Sequence, residues 1–300
     1  MMYRVEKKNL IYAMSDQNKP VLSVPDGSTV VFETCDCFED QITSSDTPFN
    51  ELDWNRINPA TGPVFVEGAE PGDILMIKIE KMQLADQGVM MTGPGLGVLG
   101  QELSENVIQM VPIREGKAIL VDKIEVPLNP MIGVIGTAPE NGESISCGTP
   151  NKHGGNMDSK VITEGSTLYL PVNVPGALLA MGDLHAAMGD GEVSVCGVEI
   201  AGEVTVTVEV IKGKQWKVPM VKTEHALYTI ASEESLDDAA TVATKNMVNF
   251  LESEAGITKH DAIFLLSIGG NLQISQVVDP LKTARFELPM AIVRQLDITI

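Results

Sequence analysis

The segment from Gly182 to Glu192, GDLHAAMGDGE, contains two aspartates, a histidine and a glutamate among three glycines. Asp183 and His185 are two residues apart, so on an extended strand their side chains project from the same face, with Cα atoms about 6–7 Å apart. A carboxylate and an imidazole on one face are suitable ligands for a divalent cation such as zinc. The glycines leave the backbone free to turn around a bound group. The spacing therefore predicts a metal site, with chemistry in a cleft around it.

Two further polar clusters combine acidic residues with cysteine, histidine or glycine. The first, CDCFEDQ, directly follows a predicted strand and offers Asp36, although acidic turns after strands are also common without a function. The second, NKHGGNMD, places His153 and Asp158 around a Gly-Gly pair. Two of the four histidines thus lie in glycine-rich segments that contain aspartate. This concentration favours His153 and His185 as ligands over the surface or hydrogen-bonding role that is usual for a lone histidine.

The chain lacks the sequence signatures of several other hydrolase mechanisms. It contains no G-x-S-x-G nucleophile elbow, no P-loop and no H-E-x-x-H pair. Cys147 is a candidate nucleophile, but a small buried residue is the more usual role for such a cysteine. A hydrolase built from this sequence is therefore expected to use water activated by a metal rather than an activated serine.

Composition and charge exclude several classes of partner. Acidic residues outnumber basic residues 41 to 21 in the 300-residue chain, which gives a formal net charge of −20. Such a surface repels phosphate backbones and anionic lipids, so we expect no nucleic-acid partner and no membrane partner. The four cysteines are too few for a disulfide scaffold, and the N-terminal residues contain no apolar stretch suited to a signal peptide. We therefore expect a cytoplasmic protein with reduced thiols.

Alternating apolar residues predict that most of the chain forms β-strands. The predicted strands are at 29–32, 74–79, 117–121, 131–135, 166–172 and 204–210, and a hairpin turn at 211–215 leads into a strand at 216–221. Capping residues predict one helix from Ser235 to Gly256 and a second from Thr258 to Gly269, followed by strands at 272–278 and 291–300. We therefore predict a mainly β fold, with an antiparallel β-sandwich or barrel body over residues 1–221 and a smaller C-terminal α+β unit over residues 222–300.

Five segments of the chain resemble the acetamidase/formamidase family: DCFEDQITS (36–44), NPATGPVFVEGAEPGDILMIKI (58–79), HGGNMDSK (153–160), LYLPVNVPGALLAMGDLHAAMGDGE (168–192) and ISQVVDP (274–280). They run over nearly the whole chain, in the order that the family has them. The resemblance implies a β-rich, metal-associated hydrolase of small aliphatic amides, of the formamide and acetamide type, that releases ammonia. It also implies a homo-oligomer, which we expect to be a dimer.

The residues and the resemblance together suggest one metal site. Our hypothesis is that Asp36, His153, Asp183 and His185 bind one divalent cation, with a second metal at some of these residues as the alternative, and that Asp158 is a further candidate ligand. Zinc is expected because two imidazoles favour it, whereas calcium, which remains an alternative, prefers ligands that are all oxygen.

Catalysis is assigned to Glu192, together with the ligand His185. Glu192 would accept a proton from water and pass it to the departing nitrogen, because an amide ion is too basic to leave unprotonated. The backbone amides of Gly154 and Gly155 are candidates for holding the oxyanion.

Two other functions remain open on the residues alone. One is a metalloenzyme that acts on another C–N bond, such as a deaminase-like enzyme or a cyclic-amide hydrolase. The other is a non-catalytic β-sandwich module whose acidic clusters bind structural calcium.

Overall fold

β-strands make up most of the architecture, as the alternation of apolar residues predicts. The structure is a computed structural model that describes residues 2–121, 123–298 and 300. The strands of the described residues are, in chain order, β1 (Met2–Val5), β2 (Leu10–Ile11), β3 (Ala13–Ser15), β4 (Leu22–Val24), β5 (Ser28–Thr34), β6 (Ala60–Val66), β7 (Ile74–Leu84), β8 (Gln87–Thr92), β9 (Val107–Arg114), β10 (Lys117–Leu120), β11 (Ile124–Pro127), β12 (Met131–Gly136), β13 (Ser144–Ser146), β14 (Gly154–Asn156), β15 (Thr167–Pro171), β16 (Leu179–His185), β17 (Glu199–Ile200), β18 (Gly202–Ile211), β19 (Met220–Lys222), β20 (Ala226–Glu233), β21 (Asn271–Gln276) and β22 (Lys282–Pro289). The α-helices are α1 (Leu236–Ala255), α2 (Lys259–Gly269) and α3 (Met290–Gln295), and short 3₁₀ turns occur at Phe49–Glu51, Trp54–Arg56 and Gly100–Glu102.

Two large sheets pack face to face around the main core. The first has nine strands in the order β1-β5-β18-β7-β15-β19-β20-β22-β21, and its neighbours are antiparallel except for β1 and β5. The second has eleven strands along the path β11-β10-β9-β8-β17-β16-β12-β14, with β6 paired to β16 and joined by β2 and β4. One hydrophobic cluster contains Phe32 and Val206 of the first sheet and Ile132 and Leu184 of the second. The predicted β-rich sandwich body is therefore confirmed.

Two helices cover the C-terminal end of the first sheet and have the predicted ends. The Ser235 side chain accepts a hydrogen bond from the backbone amide of Asp238 at the start of α1, and Gly256 ends that helix with φ of 65°. Thr258 caps α2 in the same way. A second hydrophobic cluster lies beneath these helices. No helix in the described ranges is both long and apolar enough to cross a lipid bilayer.

Two of the predicted elements are wrong. The predicted strand at 291–300 is replaced by α3, in which Val293 is buried and packs into the second cluster with Ile292 and Leu296 at helical spacing. The predicted hairpin between β18 and β19 does not form, because both edges of β18 are already paired, with β5 and β7. Strand β19 pairs instead with β15 and β20.

The proposed domain boundary at 221/222 falls inside β19, and the C-terminal strands continue the first sheet.

Candidate active site

A cavity of about 510 Å³ lies where the end of β16 meets several loops. Its floor is formed by buried polar side chains, and its rim carries more exposed residues such as Trp54 and Asn55. The acidic and imidazole groups that line it are Asp183, His185, Glu192, Glu199 and Asp279. Asp183 and His185 come from β16, and the other three groups come from separate segments of the chain.

The last residues of β16 supply the pair that the two-residue spacing predicts. Asp183 and His185 are both buried, and Asp183 Oδ1 lies 3.5 Å from His185 Nε2. Strand β17 pairs with β16 so that Glu199 is directly opposite His185. Adjacent antiparallel partners have side chains on the same face, and Glu199 Oε1 accordingly lies 3.2 Å from His185 Nε2. Glu199 therefore belongs to the site through strand register, which the sequence analysis did not predict.

Asp158 and Glu192 complete the inner cluster. Asp158 follows β14, and its Oδ1 lies 3.6 Å from His185 Nε2. Asp158, His185 and Glu192 each offer one possible ligand atom, and these three atoms lie within 4.8 Å of one another. The loop that carries Glu192 is attached to β21, because Gly191 donates a backbone hydrogen bond to Ser275.

The inner acids are held in an unfavourable backbone conformation. Asp158, Asp183 and Glu192 have φ of 41°, 53° and 48°, in the left-handed region that side chains other than glycine and asparagine rarely adopt. Such conformations cost about 1–3 kcal/mol each and persist where the surrounding structure imposes them, often at functional sites. Three of the acids around His185 thus carry backbone strain of this kind.

Asp279 enters the cavity from the turn after β21. Buried Gln276 organises this turn: its Oε1 accepts hydrogen bonds from the backbone amides of Val278 and Asp279, at 2.9 and 3.0 Å. The Asn156 amide group donates to Asp279 Oδ2 at 3.1 Å, which connects the turn to β14. Asp279 was also missed by the sequence analysis, although it lies in the ISQVVDP segment that carried part of the resemblance.

Asp36 shapes a turn, and its neighbour Cys37 lines the cavity. Asp36 Oδ1 accepts hydrogen bonds from the backbone amides of Phe38 and Asp40, at 2.9 and 2.8 Å. This turn directs Cys37 and Phe38 toward the cavity. One ligand atom each of Cys37, Asp183 and Glu199 lie within 4.8 Å of one another, in a second cluster beside the first.

His153 is buried and is not a member of either cluster. Neither of its ring nitrogens has a hydrogen-bond partner among the described residues, and burial lowers its pKa to about 4. The Gly154 amide, a predicted oxyanion donor, instead donates to the backbone oxygen of Asn151. Of the five predicted ligands, the structure brings together Asp158, Asp183 and His185; the lining residues that it describes include neither Asp36 nor His153.

Burial and the closeness of several carboxyl groups dominate the electrostatics of the floor. Burial, together with neighbouring carboxylates, raises the pKa of Asp158, Glu192, Glu199 and Asp279 well above the usual range. Burial opposes the charge of His185, but Glu199 and Asp183 outweigh this and raise its pKa. Burial likewise opposes ionisation of Asp183, but the contact with His185 prevails and lowers its pKa.

Among the described residues that line the cavity, His185 is the single basic group beside this excess of acid. Among the lining residues that the structure describes, none is lysine or arginine. Four buried acceptor atoms also have no hydrogen-bond donor from the described residues: Asp158 Oδ1, Asp183 Oδ1, Glu192 Oε2 and Glu199 Oε2. Buried carboxylates are normally paired or bound to a metal, so the donor set fits a divalent cation.

The comparisons with known proteins agree on one family. Residues 13–144 and 141–295 match the model of the acetamidase/formamidase family. The acetamidase of Bacillus halodurans has a TM-score of 0.96 and 50% identity, over 98% of this chain and 100% of that one. A predicted acetamidase/formamidase of Thermoanaerobacter tengcongensis has a TM-score of 0.98 and 52% identity, over 100% and 99%.

Curated relatives are more distant and longer. The formamidase of Methylophilus methylotrophus is 28% identical, over 64% of this chain and 61% of that protein. The chain therefore spans about three fifths of the length of the curated relatives that it matches.

Proposed function

The chain belongs to the acetamidase/formamidase family, and from this premise we propose that it hydrolyses linear carboxamides to a carboxylate and ammonia. The observation that carries the proposal is the convergence of buried carboxylates on His185 at the floor of a cavity, several of them with one oxygen that has no hydrogen-bond partner among the described residues. Acidic groups with raised pKa values in a cleft are typical of catalytic sites. The sequence motifs of serine nucleophiles are absent, which is in line with hydrolysis by water.

We propose that the reaction depends on a divalent cation, with zinc the favoured ion. Asp158 and His185, with Glu192 beside them, form one candidate ligand group, and Cys37, Asp183 and Glu199 form the other. Imidazole and thiolate ligands favour zinc over calcium. When bound, the cation supplies Lewis acidity, which activates both an amide carbonyl and a water molecule.

Glu192 is the proposed proton carrier. Its Oε2 is buried and has no donor from the described residues, so it is free to accept a proton from the attacking water. Burial and the neighbouring Asp158 raise the pKa of Glu192, which makes it a stronger base for the proton of water. The same proton then passes to the departing nitrogen, so that ammonia leaves rather than an amide ion.

Asn156 is the proposed contact for the amide nitrogen of the substrate. Its Nδ2 donates to Asp279, while its Oδ1 is buried and unpartnered within the described ranges. An oxygen in this position would accept a hydrogen bond from the substrate N–H and orient the amide over the floor.

The test combines ammonia release with metal analysis. Purified protein should release ammonia from at least one simple amide and contain zinc close to stoichiometrically. Glu192→Gln should lower turnover by about 10²–10⁴-fold and still bind zinc at the remaining ligands. His185→Ala should lose both zinc and activity. His260→Ala, on the exposed surface of α2, is the matched control and should behave as the wild type.

Three outcomes would contradict the proposal. Full turnover of the His185→Ala variant would remove His185 from the mechanism. Calcium as the sole bound metal, with no ammonia from any amide, would favour the calcium-binding module. Ammonia from ureido or cyclic amides alone would favour action on another C–N bond.

We further propose that the chain forms a homodimer through an apolar surface on α2 and β21. β21 is an edge strand of the first sheet, and unpaired edges are prone to pair with another chain. The surface, which we call the α2–β21 face, consists of Ile263, Phe264, Ile268, Leu272 and Ile274, all at least 42% exposed. Light scattering should give a dimer mass for the wild type, and Ile268→Glu should give a monomer; an unchanged mass would refute this interface.

A further inference from the structure

The cavity is much larger than the smallest amides. Its volume is about 510 Å³, within the range that is typical of pockets for drug-sized ligands. A non-hydrogen atom of a small polar molecule occupies roughly the volume of one water molecule in the liquid, about 30 Å³. Acetamide, with four such atoms, would therefore fill roughly a quarter of the space. The rest of the cavity is available for a longer substituent.

One wall of the cavity is apolar and leads outward from the acidic floor. Phe38, Met91 and Cys196 are 3%, 4% and 6% exposed, and Leu96 lies beside them. The wall ends at Trp54, whose side chain is 47% exposed and whose ring lies 4.9 Å from that of Phe49. An amide whose carbonyl lies at the floor would thus place its substituent along aromatic, thioether and aliphatic groups.

The charge of the cavity disfavours an anionic substituent. Asp183, Glu192, Glu199 and Asp279 line it, and Asp158 Oδ1 lies 3.6 Å from His185 Nε2. Two divalent cations would not fully offset five carboxylates. The nearest basic residue in sequence to the rim, Arg56, is already paired with Glu39. The net charge of −20 adds a long-range field of the same sign.

We propose that this site selects primary amides with an uncharged or cationic substituent several carbons long, and discriminates against anionic amides. The inference rests on the proposed function and names its substrate class. The apolar wall provides the preference for length, and the uncompensated carboxylates provide the selection by charge.

The first test is a series of amides with the zinc-loaded enzyme. From formamide through acetamide and butyramide to hexanamide, kcat/KM should rise by about four-fold for each methylene that reaches the wall. At equal chain length, kcat/KM for the anionic monoamide of succinic acid should be about 30-fold below that for butyramide. 4-Aminobutyramide should equal or exceed butyramide. The difference in kcat/KM between the anionic monoamide and 4-aminobutyramide should shrink in 0.5 M salt, because salt screens charges near solvent.

The second test changes the rim and leaves the floor intact. Asn55→Lys places a positive charge at the cavity mouth. It should raise kcat/KM for the anionic amide about five-fold, lower it for 4-aminobutyramide similarly, and leave butyramide within about two-fold. Asn55→Gln controls for size, and Thr241→Lys, on the exposed surface of α1, controls for net charge. Trp54→Ala should reduce kcat/KM for hexanamide about five-fold with little effect on formamide, and Leu99→Ala is its control.

The outcomes separate this inference from the proposed reaction. If formamide is the best substrate, or if the anionic amide is turned over as well as butyramide, the inference is overturned while amide hydrolysis stands. If no amide is hydrolysed, calorimetric binding to the Glu192→Gln variant decides. Tighter binding of hexanamide than of the anionic amide would support the inference and reject the reaction, and equal or absent binding would overturn both.

Discussion

Replacing Gly133 with alanine tests whether the acids must approach one another as closely as the structure shows. Gly133 lies in β12 beside the inner acids, outside the left-handed region, so alanine would meet no backbone strain. A Cβ there would lie 2.5 Å from Asp158 Oδ1 and 2.9 Å from both Oδ2 and the backbone oxygen of Asp183. The perturbation is therefore a single methyl group directed between the two carboxylates.

The size of the effect follows from these distances. Carbon and oxygen in normal contact are about 3.5 Å apart, so Asp158 would have to move by about 1 Å. Metal ligands tolerate displacements of about 0.2 Å. We expect zinc affinity to fall by about 10–100-fold, as it does when the support of a ligand is lost. Overpacking should also lower the free energy of unfolding by about 1–3 kcal/mol.

Competition with a chromogenic chelator measures the zinc affinity, and urea unfolding of the metal-free protein measures the stability. Gly148→Ala is the matched control in the same cavity, because its Cβ would lie 3.4 Å from Asn58 Nδ2, an ordinary contact. If Gly133→Ala binds zinc and hydrolyses amides within two-fold of Gly148→Ala, the acids do not act as a closely packed ligand group.

Three further predictions concern the surroundings of the site. Burial raises the pKa of Cys35, Cys147 and Cys196 to about 12, so at pH 7.5 iodoacetamide should modify these thiols about 10³-fold more slowly in the folded protein than in urea, by mass spectrometry. Arg285→Met should lower the free energy of unfolding by up to about 3 kcal/mol, because buried Arg285 pairs with Asp190 at 2.7 Å; an unchanged urea midpoint would contradict this. Burial raises the pKa of Asp36 from 3.8 to about 6, so its ionised form disfavours folding. As pH falls from 7 to 4, protonation of this group should raise the free energy of unfolding of the metal-free protein by up to about 3 kcal/mol. Urea titrations at each pH measure this gain, and the Asp36→Asn variant should not show it.

Helix ends and side-chain spacings that depend on residues close together in the sequence could be predicted from it. Both long helices begin and end at their predicted caps, because the hydroxyls of Ser235 and Thr258 bond to amides three residues ahead. The pairing of Asp183 with His185 followed from the two-residue repeat of a strand. The hairpin after β18 was wrong because local alternation does not reveal that both edges of a strand are occupied.

Membership of the site was harder to predict. Asp36 belongs to an acidic cluster of the expected kind, yet its carboxylate is used by two backbone amides, and the adjacent Cys37 lines the cavity. His153 lies in a glycine-rich segment, yet its buried ring is outside the acidic clusters. Sequence composition identified the segments, but which side chain of a segment faces the cavity depends on a turn of a few residues.

The sequence by itself determined the mainly β architecture, the two capped helices, the family and the segment around His185, because these follow from the pattern of residues that are close together along the chain. Only the tertiary structure decided which acids meet His185. Glu199 reaches it through the register of β17 on β16, and Asp279 shares its cavity through a turn organised by Gln276. Both contacts join distant residues, and they exist because packing of the sheets and loops sets the distances between them.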